Sequence, residues 1–177
     1  MKKLIVFLFL TGCFFTSYAQ RFAYIDSQYI LSKIPEYRTA QDELNQLSIQ
    51  WQKEIEAKYS EIDQLYKAYK ADEVLLTEDM KQKRQAEIEQ KEQAVKDLQK
   101  QRFGVSGDLF KKRQELVKPL QDKIYNAVQD LAEKQNFSVI FDKSSDLTML
   151  YSSPKYDKSD EILKAMGYNA EGTKIKK

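Results

Sequence analysis

Few residue types in this 177-residue chain could do bond-making chemistry. It has no histidine and only one cysteine, Cys13. Without histidine there is no Ser-His-Asp or Cys-His catalysis and no His-ligated metal site. Five glycines leave little room for a phosphate-cradling loop, and no Walker or Rossmann pattern occurs. The Gly104-Val-Ser-Gly107 spacing is followed by no Lys-Ser or Lys-Thr pair. Carboxylates abound, but on an exposed helix they serve solvation and i,i+4 pairing. The sequence therefore predicts no enzyme, no catalytic residue, no metal and no cofactor. What remains is the chemistry of contact: 11 tyrosines and 9 phenylalanines, amphipathic side chains suited to weak, promiscuous binding.

The first twenty residues bear on where such contacts would be made. Lys2 and Lys3 precede a short apolar core, Leu4 to Leu10, and Ser17-Tyr18-Ala19 supplies small residues for cleavage after Ala19. Residues 1–19 thus read as an export signal, too short in its apolar run to span a membrane. Leu10-Thr11-Gly12-Cys13 offers a second reading, a lipoprotein anchored through Cys13, although Phe14-Phe15 carries the apolar run past that cysteine. Cleavage after Ala19 removes Cys13, leaving neither a disulfide framework nor a thiol nucleophile. It also removes two lysines and no acid, so the 29 basic residues fall to 27 and match the 27 acidic ones.

The elements that would present the aromatic side chains are long helices. Residues 36–103 contain no proline or glycine, and helix formers dominate. One straight helix of that length would span roughly 100 Å, so a coiled coil or an extended hairpin is required. Leu44, Leu47, Trp51, Ile55, Tyr59, Ile62, Tyr66 and Tyr69 recur about every 3.6 residues and predict one apolar stripe. The pattern breaks over 72–79, where Thr77-Glu78-Asp79 looks like a fresh capped N-terminus. An antiparallel hairpin follows, spanning 36–118 with its tip near 72–79. Residues facing each other should have numbers summing to about 151, so that Trp51 faces Lys100. The returning stripe is Val95, Leu98, Val105, Leu109, Leu116, Leu120, Ile124, Val128 and Leu131. Gly104 and Gly107 interrupt it and predict a kink that sets arm spread. Pro119 predicts a second bend where arm passes into body.

Residues 20–35 and 119–177 form the remaining body. Phe22–Ile25 reads as a central strand, and Phe137–Phe141 and Leu147–Tyr151 as two strands joined by a hairpin turn. A helix over 120–134 links arm to sheet, and a short one over 160–166 carries Ser159 as N-cap and Gly167 as C-cap. The fold class is α+β, mostly α: a long helical hairpin on a small β-containing body. Such a body has too few residues for a robust core and leaves sheet edges open. Self-association through Phe22, Tyr24, Ile25, Val139, Ile140, Phe141 and Met149 would resolve both problems.

These pieces resemble the Skp/OmpH family of periplasmic chaperones. The resemblance rests on Phe22-Ala-Tyr-Ile-Asp26, Tyr29-Ile-Leu-Ser-Lys-Ile-Pro35, the charged hairpin, and Gly104-Val-Ser-Gly107-Asp-Leu-Phe110. Leu116-Val-Lys-Pro-Leu120, Val139-Ile-Phe-Asp142-Lys-Ser and Tyr156-Asp-Lys-Ser-Asp-Glu-Ile162 complete it. Membership implies a homotrimer whose helical arms enclose a cavity, and a soluble periplasmic holdase that binds unfolded outer-membrane proteins without ATP. An envelope scaffold that binds one folded partner is the alternative.

The chain departs from the strongly basic members of that family. Residues 36–118 carry 16 basic and 17 acidic side chains. Neutrality argues against nucleic acid as a partner and puts lipopolysaccharide binding in doubt, leaving room only for peripheral membrane contact. No small-molecule substrate is implied. Apolar and tyrosine contacts should then dominate client capture, with Tyr59, Tyr66, Tyr69, Leu75 and Leu76 as the expected client-binding residues.

Overall fold

The computed structural model describes residues 20–145 and 149–175. The expected export signal, its Ala19 cleavage site and Cys13 lie outside that range, as do Leu147 and Thr148 of the third predicted strand.

Strand β1 (Phe22–Ile25) opens the described chain and leads through Asp26 into helix α1 (Ser27–Lys33). The Asp26 carboxylate accepts the Tyr29 backbone N–H at 2.8 Å, satisfying a donor that the first helical turn leaves free. Pro35 then starts helix α2 (Pro35–Asp72), where a fixed φ and a missing N–H cost nothing. At 1.5 Å per residue, 38 residues reach about 57 Å. The chain turns over Glu73–Leu76 and re-enters helix α3 (Glu78–Phe103), whose N-cap Thr77 accepts the Met80 N–H through its hydroxyl. Both the hairpin and its cap agree with the sequence reading.

Helix α3 stops at Gly104, and helix α4 (Asp108–Gln135) begins after Gly107. Backbone crowds both glycines. A Cβ on Gly104 would collide with the Lys100 carbonyl oxygen, and one on Gly107 would stand 2.7 Å from that of Gln101. Val105, expected in the returning stripe, is 94% exposed within this break. The second predicted bend is not a break: α4 runs unbroken through Pro119. Pro119 has no N–H to give the Glu115 carbonyl, and helix continues on both sides of it.

Helix α4 ends at Asn136, in the left-handed conformation at φ 56°, and gives way to strand β2 (Val139–Asp142). Among the described residues the sheet is two parallel strands, with Phe22 opposite Val139 and Ile25 opposite Asp142. The predicted hairpin between the second and third strands does not form among the described residues. Met149, Leu150 and Tyr151 carry no strand. The far edge of β1 is met instead near Asp157, where the Lys158 N–H donates to the Tyr24 carbonyl at 2.9 Å. A 3-10 turn (Pro154–Tyr156) precedes the last helix, α5 (Ser159–Ala165). Ser159 is not the N-cap that its position suggested. It lies inside the helix, buried, accepting the Asp26 N–H at 2.9 Å and donating to Asp157 at 2.6 Å.

Among the described residues two apolar clusters result. The body core joins Ile25, Ile30, Leu31 and Ile34 to Leu120, Ile124 and Leu131 of α4 and to Ile162, Leu163 and Tyr168. The arm cluster is Ile55, Ile62 and Tyr69 of α2 against Ile88 and Val95 of α3. Spacings of seven on both helices mark a coiled-coil seam.

Candidate interaction surfaces

The seam decides which arm residues can meet a partner. Ile55, Ile62 and Tyr69 point into it, while Tyr59 and Tyr66, each four residues after a seam position, fall on its flank. They are 41% and 50% exposed. The stripe read from the sequence was therefore too wide: the seam steps by three from Ile62 to Leu65 and by four from Leu65 to Tyr69, which leaves Tyr66 outside it. Tyr69 corrects the sequence reading most sharply. Expected as a client contact, it is 2% exposed, and its hydroxyl takes a 2.8 Å bond from Gln85 Nε2 and reaches Glu73 at 3.3 Å. Leu76 is half-buried against the same cluster, whereas Leu75 is 82% exposed at the tip. Val74, which the sequence reading passed over, is 89% exposed beside it. Three consecutive aliphatics, Val74-Leu75-Leu76, between the two helices were the signal that could have found it.

Cross-arm ion pairs set the register. Lys91 meets Glu61 at 2.7 Å, Arg84 meets Asp72 at 3.8 Å, Arg102 meets Glu54 at 3.7 Å, and Trp51 meets the Phe103 ring at 6.3 Å. Their residue numbers sum above the expected 151. A helical side chain leans toward its own N-terminus, so in an antiparallel pair the α2 side chain descends while the α3 side chain climbs. The residues that touch therefore carry higher numbers than those whose Cα atoms are level. The Lys91 ammonium holds the Glu61 carboxyl below its ordinary range, but solvent screens pairs this exposed and they add little to stability.

The break at Gly104 and Gly107 is bridged by side chains of α3, with Gln101 Nε2 donating to the Asp108 carboxylate at 3.4 Å and Arg102 reaching further. Arg102 lies 4.7 Å above the Trp51 ring and binds Asp108, the first residue of α4, at 2.8 Å. It thereby ties both sides of the interruption to α2.

The residues expected to mediate self-association divide into two groups. Tyr24 and Ile25 are buried within the chain, and Ile140 is half-buried against the body core. Those three are already used by the chain's own packing, and β1 is met on both edges, by β2 on one side and near Asp157 on the other. Phe22, Val139 and Phe141 are 51%, 47% and 39% exposed. Phe22 and Phe141 border a mostly apolar hollow of about 320 Å³ that Met149 and Tyr151 also line. Among the described residues the outer edge of β2 has no strand partner, so this corner of the body offers both backbone groups and apolar surface. Tyr125, 68% exposed on α4, lines a separate hollow with Ile140 and Asp142, and Leu150 is 95% exposed; apolar periodicity singled out neither.

A third feature is the tail after α5. Tyr168 and Lys174 form a short antiparallel bridge, and Gly172, at φ +82°, lies so close to the Lys33 carbonyl that any Cβ would overlap it. From this tail Lys174 reaches Glu36 at 2.7 Å and the Tyr168 hydroxyl donates to it at 2.9 Å. These bonds, the one from Lys174 foremost, lower the Glu36 carboxyl to about 2. The tail is thereby pinned to the first turn of α2.

Among the described residues no helix is long and apolar enough to cross a membrane, and no group of three or more His, Cys, Asp or Glu is placed to hold a metal ion. The fold is shared with a crystal structure from Caulobacter crescentus described as a candidate OmpH-like outer membrane chaperone. The TM-score is 0.66 at 16% identity, over 84% of each chain. An uncharacterized protein of Aquifex aeolicus is 31% identical over 150 residues, 85% of this chain and 88% of that one. Residues 21–166 match the family model described as outer membrane protein (OmpH-like). On this match, which takes in both strands, the whole hairpin and α5, the chain belongs to the OmpH-like outer membrane protein family.

Proposed function

We propose that this protein is an ATP-independent holdase of the periplasm, a homotrimer that binds unfolded outer-membrane proteins between its helical arms and keeps them from aggregating. The observation that carries the proposal is the arm itself. It is a long hairpin whose seam is one narrow row, with Tyr59, Tyr66, Val74 and Leu75 left exposed along its flank and tip. Side chains that combine an apolar body with a polar tip suit many sequences weakly, as a holdase requires. Trimer formation is supported by the exposed Phe22, Val139 and Phe141 beside an open strand edge. The export-like N-terminus and the Caulobacter relative's description support the location and the class of client.

The test is suppression of aggregation of several unrelated unfolded β-barrel proteins by the purified chain, with its mass taken by light scattering. Broad suppression by a trimer is expected. Capture of one folded partner with no suppression would establish the scaffold alternative. Because the arm is nearly neutral, client affinity should fall less than threefold between low and physiological salt, where the Debye length is about 8 Å. A tenfold loss would show that charge holds the client.

A further inference from the structure

We propose that the hollow formed by Arg21, Phe137, Lys155, Tyr156 and Lys158 is a binding site for an anionic oxygen group, carboxylate or phosphate, carried on an aromatic body. This hollow, of about 320 Å³, lies at the end of the sheet where β1 begins and is separate from the arms. Three cations surround it, and among the described residues no carboxylate lines it. In a chain of 29 basic and 27 acidic residues, that is a local concentration of one sign.

The backbone fixes its walls. The Ser138 N–H donates to the Arg21 carbonyl at 2.8 Å, and the Lys158 N–H to that of Tyr24 at 2.9 Å. The segments bearing Arg21, Phe137 and Lys158 are thus laced to one sheet, and the left-handed Asn136 turns Phe137 out of α4 toward it. The Arg21 guanidinium stands 5.2 Å from the Phe137 ring centre and Lys158 Nζ 5.9 Å from the same ring. Lys155 Nζ is 5.6 Å from the Tyr156 ring, which itself stacks on Phe22 at 5.0 Å.

The cations are not all consumed internally. Arg21 spends one N–H on the Gln135 carbonyl at 2.8 Å and keeps the rest of its fork. Lys158 is paired with Glu161 at 2.5 Å, and Lys155 has no ion pair among the described residues. Glu161 therefore offsets one of three charges, and an anion entering the hollow would meet Arg21 and Lys155 uncompensated. The rings supply a face for stacking and the volume is at the small end for ligand sites, so the occupant is about one ring with its acidic group. The acidic group could come from a peptide's terminal carboxylate or from a phosphate ester, and the probes separate these sources.

The experiment uses the full chain and does not depend on holdase activity. Fluorine relaxation of N-acetyl-4-fluorophenylalanine and of 4-fluorophenyl phosphate is followed on titration with protein, with N-acetyl-4-fluorophenylalanine amide as the uncharged control. Inorganic phosphate serves as competitor. Both acids, or one of them, should bind at least tenfold more tightly than the amide. Inorganic phosphate should compete only at tenfold higher concentration than the unfluorinated aromatic acid. Lys155→Gln, in an exposed turn, should weaken binding at least threefold and the Arg21→Gln/Lys155→Gln pair tenfold, while Lys83→Gln on the arm changes nothing. If the double variant unfolds by circular dichroism, Lys155→Gln alone decides. Equal binding of acid and amide, no binding of either acid, or equal loss in Lys83→Gln would overturn the proposal.

Discussion

Tyr66 and Tyr69 are three residues apart on one helix, share a residue type and invite the same role, yet they should respond to truncation in opposite ways. Tyr69 is 2% exposed and belongs to a distal seam with few other members, chiefly Ile62, Leu65, Leu76 and Ile88. Tyr69→Ala removes a buried aromatic ring, a change that costs about 3 to 5 kcal/mol when the cavity cannot collapse. It also strands Gln85 Nε2, which now binds the tyrosine hydroxyl at 2.8 Å. Opening of the distal arm should therefore become roughly 150- to 5,000-fold more frequent. Tyr66, 50% exposed, makes no seam contact, and its truncation should shift arm opening less than threefold. Native-state hydrogen exchange of the full chain measures both. The Tyr69 variant should lose protection over residues 62–95 while amides of the body core around Ile30 and Ile124 keep theirs, and the Tyr66 variant should keep both. Client affinity should then fall in Tyr66→Ala with the arm intact. Equal effects of the two substitutions on arm protection would refute the separation of seam from contact surface.

Other consequences are as direct. Glu36 has a folded-state pKa of about 2 against an ordinary 4.5, so its ion pair with Lys174 contributes above pH 4.5 and is lost as pH falls from there toward 2. The denaturant midpoint should drop over that window, modestly because the Glu36 side chain is 44% exposed, and Glu36→Gln should flatten the drop. Gly107→Ala should destabilise the arm base and not stiffen it, since the new methyl would meet the Gln101 carbonyl oxygen at 2.7 Å and the Gly104 nitrogen at 2.9 Å. A higher thermal midpoint would contradict this. Gly172→Val forces a branched side chain into a positive φ against the Lys33 carbonyl, so the tail should release. Faster exchange at Ile175, whose N–H binds the Gly167 carbonyl at 2.8 Å, is the measurement.

Much of the arm was legible because it is governed by local rules. Absence of proline and glycine, the Thr77 cap and apolar periodicity each act within a turn or two of helix. The body was less so. Phe22–Ile25 was found from its apolar run, but its parallel partner depends on which distant segment the arm returns to it, and no local pattern encodes that. Ser159 looked like a cap because caps and buried hydrogen-bonding serines share residue types. Tyr69 was misplaced because a period near 3.6 cannot separate a seam position from its flank over a few turns. The tail clasp went unread, since Gly172 and Lys174 acquire meaning only against Lys33 and Glu36, over a hundred residues earlier.

The parallel pairing of β1 with β2 has a consequence for how the molecule comes to be folded. The Ser27 N–H finds the Asp142 carboxylate across 115 residues, and bringing such distant points together from a free chain costs roughly 4 kcal/mol of closure entropy plus a constant. The hairpin between them is local, nucleating near its own turn and zipping toward the base. Once formed it acts as a clip, leaving only about fifteen flexible residues to close, about three halvings of the loop and some 2 kcal/mol less entropy to lose. The arm would thus be the first part to fold and the assembler of the rest, and a lesion in its seam should slow body formation even where the finished body is untouched.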